Sequence, residues 1–218
     1  MSRLPSPVLN RRIIADTALE MMDRDGYAAF SMPRLGDELG VRTPSLYHHF
    51  RDRADILAEV ARTVVLKTEV PEQRPDEPWT EYFVELSVNF RRAILRHRNT
   101  APVLLQFLPR DVLLARYEIA AAQLAQQPEV LPSQHVLFMD GLEKLTLGSA
   151  LVEAVGPSTR TTPFPTATPD AQPLLTAAVR ANELDSEQLF VETVRAFLAG
   201  VAAAAAGRER PEGATSSA

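Results

Sequence analysis

Arg42, Thr43, Ser45, Tyr47, His48, Arg51 and Arg53 fall within a single stretch of twelve residues, RTPSLYHHFRDR. These groups donate hydrogen bonds and carry positive charge, and no nucleophile stands beside a base among them. A guanidinium can grip guanine O6 and N7 with two parallel bonds, while hydroxyl, phenol and imidazole groups suit phosphate oxygens. The chemistry on offer is therefore recognition of a nucleic acid rather than bond making. Arg34, Thr43 and Pro44 are the candidates for base edges, Pro44 through apolar contact with a thymine methyl. Ser31, Ser45, Tyr47, His48 and Arg53 are the candidates for phosphates, and Arg42 suits either task. From Arg42 to Arg53 three arginines meet one aspartate, a local net charge of +2, within a chain of formal charge −5. An acidic body with a basic tip turns that tip toward DNA and keeps non-specific binding weak.

Such side chains need a scaffold, and residues 31–53 supply its signals. Ser31 is placed to cap a first helix. Leu35 and Leu39, four apart, share one face of it. Gly40 ends it, since glycine adopts a left-handed backbone without steric cost. Val41 plugs the corner, and Thr43-Pro44 restarts the chain as N-cap and first helical residue. Leu46 and Phe50 then point inward. An ordinary αα-corner shares these anchors. The run Tyr47-His48-His49-Phe50 favours a helix-turn-helix, because a two-turn corner does not need four rings for packing.

Gly40-Val41, Leu46-Tyr47, His49-Phe50 and Asp55-Ile56-Leu57 together resemble the DNA-binding signature of the tetracycline-repressor (TetR) family of bacterial transcriptional regulators. Trp79 to Arg98, Leu145-Thr146-Leu147-Gly148 and Gln172-Pro173-Leu174-Leu175 are similar to the ligand-binding half of the tetracycline repressors themselves, so the resemblance spans Asn10 to Ala205. It implies an all-α fold: an N-terminal three-helix helix-turn-helix domain, then a C-terminal helical domain for ligand binding and dimerisation. It also implies a palindromic double-stranded DNA operator, a small-molecule effector and a homodimer. One feature departs from the pattern. Phe90 is retained and Glu153 matches the family's metal-side glutamate. Leu86, Leu104 and Phe107 stand where the resemblance puts an asparagine, a histidine and a threonine of the drug and Mg²⁺ site, and the other histidine falls near Glu69. Leucine and phenylalanine cannot coordinate a hard cation. The expected effector is thus a more apolar molecule than Mg–tetracycline, with no cofactor.

Composition agrees with a globular regulator. The 218 residues are 45% hydrophobic, enough for a core, and contain no cysteine, which excludes disulfides and thiolate chemistry. No apolar run reaches membrane-spanning or signal-peptide length, so the expected location is cytoplasmic, on the nucleoid when bound to an operator, with no membrane partner. No G-x-S-x-G, H-E-x-x-H, P-loop or G-x-G-x-x-G occurs, and His97 and His135 are isolated, so an enzyme is not expected.

Along the chain, 1–9 reads as a flexible arm and 10–52 as the helix-turn-helix domain, with Asn10 and Gly26 bounding its first helix. Residues 53–70 read as a connecting helix capped by Asp52, which stops before Pro71. EVPEQRPDEP (69–78) is hostile to helix and strand alike, and 71–206 forms the second helical domain before a disordered tail, 207–218. The loop 157–173 holds five prolines and serves either as a lid or as a contact surface. In the second domain Leu86, Phe90, Leu104, Phe107, Tyr117, Phe138 and Leu145 are candidate pocket residues. Asn89, Arg91, Gln106 and Glu153 supply its sparse polar points. Small residues on 133–155 and 186–206 suit helix docking across a two-fold axis, which the resemblance assigns to the dimer interface. A helical protein–protein adaptor without specific DNA binding is the rival reading.

Overall fold

The structure, a computed structural model, describes residues 9–128, 130–156 and 164–208. The arm at 1–8, the first part of the proline-rich loop (157–163) and the tail from 209 lie outside the described residues. The helices are α1 (Arg11–Asp25), α2 (Met32–Glu38), α3 (Thr43–Leu46), α4 (Arg53–Leu66), α5 (Trp79–Arg96), α6 (Ala101–Phe107), α7 (Arg110–Leu124), α8 (His135–Val155), α9 (Pro173–Ala181) and α10 (Ser186–Arg208). The described residues contain no strand, and α10 runs two residues past its expected end.

The chain divides into two compact units. The first takes described residues 9–68 and 92–112, the second 69–91 and 113–208. The first is thus discontinuous, whereas the sequence alone suggested a helix-turn-helix domain at 10–52, a connecting helix at 53–70 and a second domain from 71. The reason is packing: α6 lies against α4, and the turn Arg98–Thr100 lies against α1. Val103, Leu104 and Ile94 are buried in this unit, and α4 packs against both α1 and α6, the latter encoded some forty residues later.

Local chemistry sets the ends of the first unit's helices. The side chains of Asn10, Ser31 and Asp52 accept hydrogen bonds from the N–H groups of Ile13, Arg34 and Asp55, satisfying donors that no helical carbonyl can reach. Ile14, Ala18 and Met22 of α1, Leu35 of α2, Leu46 of α3 and Ile56, Val60 and Val64 of α4 are fully buried. Their spacing of three and four residues gives each helix one apolar face.

In the second unit, Phe83, Val84 and Val88 of α5 pack with Leu124 of α7, Phe138 of α8 and Phe190, Val194 and Leu198 of α10. The Phe83 and Phe138 rings meet edge to face at 4.7 Å, and Trp79 lies 5.8 Å from Phe138. Gly141 has a specific task, because a Cβ there would stand 2.4 Å from the Phe197 ring. Its small size serves the α8–α10 packing within one chain. Gly148 and Gly200, by contrast, face open space, and Ala196, Ala199, Val152 and Val155 are exposed. Helix α9 buries no residue, and Leu174 is 86% exposed.

Candidate nucleic-acid interface and effector cavity

The turn between α2 and α3 is held by three features. Gly40 takes φ 66°, a left-handed conformation that residues with a Cβ rarely adopt. The N–H of Val41 donates to the carbonyl of Gly36 at 2.9 Å. A Cβ on Gly36 would stand 3.0 Å from the Val41 carbonyl oxygen and 3.4 Å from the Thr43 nitrogen, so any larger residue needs this backbone to give by a few tenths of an ångström. The start of α3 differs by one residue from the sequence reading. Arg42 is the N-cap and Thr43 the first helical residue, with Pro44 in the first turn, where its missing N–H leaves no bond unmade.

Leu46 and Phe50 anchor the inner side of this segment and are 0% and 1% exposed. On the outer side Arg42, Pro44, Tyr47 and His48 are exposed, Tyr47 by half, while Thr43 and Ser45 are half-buried beside them. The structure therefore brings six of the nine sequence candidates onto one edge. The other three are occupied. Ser31 spends its hydroxyl oxygen on the α2 cap. Arg53 lies over the Tyr27 and Phe30 rings at 5.4 and 5.3 Å. Arg34 turns back onto its own helix entry, donating to Asp25 Oδ2 at 2.7 Å and to the Ala29 carbonyl at 2.8 Å. To reach a base, Arg34 must first release Asp25.

A clasp that sequence reasoning missed holds the end of the α3 segment. Arg11 lies 4.0 Å over the Phe50 ring and donates to the His49 carbonyl at 2.6 Å and to Asp55 Oδ1 at 3.2 Å. Asp55 also accepts the Arg51 N–H at 3.0 Å. The Asp-Ile-Leu signature hinted at this position, but its partner lies 44 residues away. The Arg11 hydrogen bond, with the Arg51 N–H second, holds the Asp55 carboxyl below the usual carboxylate range. A depressed pKa gives stability that is present above the unfolded value, about 3.9, and lost as pH falls through the folded one. Asp55→Asn is accordingly expected to flatten the acid limb of first-unit stability below about pH 4, with little change in its slope at neutral pH. Circular dichroism melts at stepped pH check this.

The second unit contains an almost wholly apolar cavity of about 80 Å³. Each wall is one helix face: Phe83, Leu86, Ser87 and Phe90 from α5; Leu113, Arg116, Tyr117 and Ala120 from α7; Phe138, Met139, Leu142, Glu143 and Thr146 from α8. The spacing on α5 and α7 is i, i+3, i+4, i+7, a signal present in the sequence. The Tyr117 hydroxyl donates to Glu143 Oε2 across the cavity wall. The Ser87 hydroxyl is committed to the Phe83 carbonyl of its own helix, at 2.7 Å. Burial pulls the Arg116 guanidinium below its ordinary value, an effect partly offset by Tyr82.

Of the candidate pocket residues, Leu86, Phe90, Tyr117 and Phe138 line this cavity. Five side chains have other places. Leu104 is in the core of the first unit, 1% exposed, and Phe107 lines a surface groove of that unit between α4 and the start of α7. Leu145 lies round the helix from the lining face of α8, where Leu142 and Thr146 take the place expected of it. Asn89 donates to the Glu69 carbonyl at 3.1 Å. Glu153 accepts from Arg91 Nη2 at 2.5 Å and from the Ser186 hydroxyl. Arg91 is only 2% exposed and also donates to Ser149 at 3.1 Å and to Ser186 at 3.0 Å. Glu153 thus balances a buried cation instead of reaching a ligand. Among the described residues no group of three or more His, Cys, Asp or Glu side chains is placed to hold a metal ion.

A helix-turn-helix with an exposed polar edge, joined to a helical unit with an apolar cavity, defines a DNA-binding transcriptional regulator, not an enzyme. Residues 14–60 match the family model for bacterial regulatory proteins of the tetR family. The chain is a TetR-family regulator, as the resemblance implied. It is 28% identical over 202 residues to the class D tetracycline repressor protein of Escherichia coli, covering 88% of each chain. Its fold resembles apo ActR from Streptomyces coelicolor with a TM-score of 0.73 and 25% identity, covering 95% of this chain and all of the other. ActR in complex with actinorhodin matches at a TM-score of 0.71 and 26% identity, covering 90% of this chain and 98% of the other.

Proposed function

We propose that the protein is a homodimeric repressor that binds a palindromic DNA operator and is released from it by a small apolar effector other than Mg–tetracycline. The exposed edge of α3, with Arg42, Pro44, Tyr47 and His48 projecting from a rigidly anchored turn, carries this reading. A four-residue helix touches few base pairs, so specificity calls for a second copy at about one helical turn, ~34 Å. The exposed apolar and small side chains of α8 and α10 supply a surface for that copy.

The cavity supports the effector. Leu86 and Phe90 wall it with hydrocarbon, where a hard cation requires oxygen or imidazole ligands. Bound complexes of the similar regulator ActR, with actinorhodin and with (S)-DNPA, support a small-molecule effector for this chain too. Release is a shift of population. The effector binds better, by several kcal/mol, a conformer whose two reading helices no longer fit adjacent grooves.

Within the interface, Thr43, Pro44 and Arg42 are assigned to base edges and Ser45, Tyr47 and His48 to phosphates, with Arg53 joining the phosphate contacts by leaving the Tyr27 and Phe30 rings. Arg42→Ala is expected to cost about 1–3 kcal/mol and to relax preference at one base pair. Arg34→Ala weakens all sequences alike, because Arg34 braces the Asp25–Ala29 turn. Fluorescence anisotropy with single-base operator variants separates the two patterns.

The deciding experiment is selection of bound duplexes from a random library at near-physiological salt. Enrichment of a palindrome with half-sites spaced for a dimer supports the whole reading. Failure to enrich any sequence, with and without candidate effectors, points to a helical adaptor instead.

A further inference from the structure

Tyr47 and His48 are exposed phosphate candidates of the reading edge, and nothing polar braces their side chains. Among the described residues no hydrogen bond, ion pair or ring contact reaches the Tyr47 phenol or the His48 imidazole. Their donors therefore point wherever the backbone of residues 46–50 directs them. Helix α3 cannot fix that backbone alone, because it ends at Leu46 after four residues. The N–H groups of His49 and Phe50 both turn back to the Leu46 carbonyl, each at 3.0 Å. The His49 carbonyl, at the end of that turn, needs a partner from elsewhere in the chain.

That partner is Arg11, at the start of α1. Its Nη1 donates to the His49 carbonyl at 2.6 Å while its guanidinium lies 4.0 Å over the Phe50 ring. The same group reaches Asp55 Oδ1 at 3.2 Å and Glu59 Oε2 at 3.3 Å, both on α4. Asp55 in turn accepts the Arg51 N–H at 3.0 Å. The two peptide groups flanking Phe50 are thus held, one by Arg11 and the other by its partner Asp55. A planar guanidinium can lie flat on a ring and donate to several acceptors at once, which a lysine ammonium cannot.

We propose that Arg11 is a positioning residue of the DNA interface: by holding the peptide between His49 and Phe50, it aims the Tyr47 and His48 donors at phosphate oxygens without touching DNA itself. This rests on the α3 edge meeting DNA, as proposed above. The charge of Arg11 is matched by Asp55 and Glu59, so it displaces no counterion from the duplex. What it supplies is geometry.

Fluorescence anisotropy of the full chain on the selected operator, repeated over a range of salt, tests this. Arg11→Gln is expected to weaken binding about tenfold, in line with the loss of one charge-assisted bond, on cognate and mismatched duplexes alike. Its salt slope stays at the wild-type value. Tyr47→Phe and His48→Ala each weaken the wild-type protein severalfold, but by less than about twofold beside Arg11→Gln, whose donors are already misdirected. Arg42→Ala, at the other end of α3, has the same effect in both backgrounds. Arg11→Lys keeps the charge but not the full set of contacts, so it recovers only part of the loss. Thermal melts confirm folding, and if Arg11→Gln does not fold, the cycle is run with Arg11→Lys, where the same pattern is expected at smaller size. Additive losses overturn the proposal and make Arg11 a stabilising residue only. So does a salt slope shallower by about 0.9, because Arg11 then meets a phosphate itself. Wild-type protein that shows no salt-dependent duplex binding defeats the DNA reading, and this assignment with it, before any variant is compared.

Discussion

Gly36→Val lowers operator affinity by at least about a hundredfold, equivalent to roughly 2.7 kcal/mol, while the second unit keeps its fold. A Cβ at Gly36 already stands 3.0 Å from the Val41 carbonyl oxygen and 3.4 Å from the Thr43 nitrogen, and both neighbours are backbone. Neither can rotate away, as the end of a flexible side chain would. Valine adds two methyl groups to that contact. The strain is relieved only by opening the angle between α2 and α3, which carries Arg42, Pro44, Tyr47 and His48 off their common edge. Overpacking of this kind costs about 1–3 kcal/mol in stability, but displacement of a reading helix costs every base contact at once. Gly36→Ala is the graded control and lies between wild type and valine. Anisotropy with the selected operator, beside a thermal melt, checks both. Wild-type affinity in a folded Gly36→Val protein means that α3 does not read DNA.

Arg91→Ala destabilises the second unit by about 2–3 kcal/mol in urea titration, below the range for a fully buried ion pair because Glu153 and Glu187 keep about a third of their exposure. The Arg91 side chain is 3% exposed and faces two carboxylates, Glu153 at 2.5 Å and Glu187 at 3.9 Å. It also bonds the hydroxyls of Ser149 and Ser186 and lies 5.4 Å from the Phe190 ring. One guanidinium therefore joins α5, α8 and α10. Removing it takes from Glu153 and Glu187 the guanidinium that both of them face. Neutralising the closer pair together is a different experiment: Arg91→Met with Glu153→Gln recovers part of the loss, because the nearer carboxylate no longer loses its cation. A double-mutant cycle gives the coupling energy directly. Equal losses in the single and double variants make Arg91 a packing residue whose charge is incidental.

Much of the reading edge was legible before any tertiary structure. Asn10, Ser31 and Asp52 cap their helices as expected, Gly40 takes the left-handed turn, and Leu46 and Phe50 face inward. The cavity was half legible. The i, i+3, i+4, i+7 faces of α5 and α7 were there to be found, and Leu86, Phe90, Tyr117 and Phe138 lie on them or on α8. Leu104, Phe107 and Leu145 did not, since periodicity marks an apolar face without naming its neighbour.

The sequence by itself determined the helices of the first unit, the caps at Asn10, Ser31 and Asp52, the helix-turn-helix and the family, because each cap and each apolar face depends on residues within about four positions of one another. Tertiary structure alone decided which charges are presented and which are spent. Arg34 is drawn to Asp25, Arg11 to Asp55 across 44 residues, and Arg91 to Glu153 across 62 and to Ser186 across 95. It also decided that 92–112 joins the first unit. No local pattern encodes such partners. An arginine has the same helix propensity whether it faces DNA, solvent or a carboxylate, and only the packed chain brings the competing acceptor within reach.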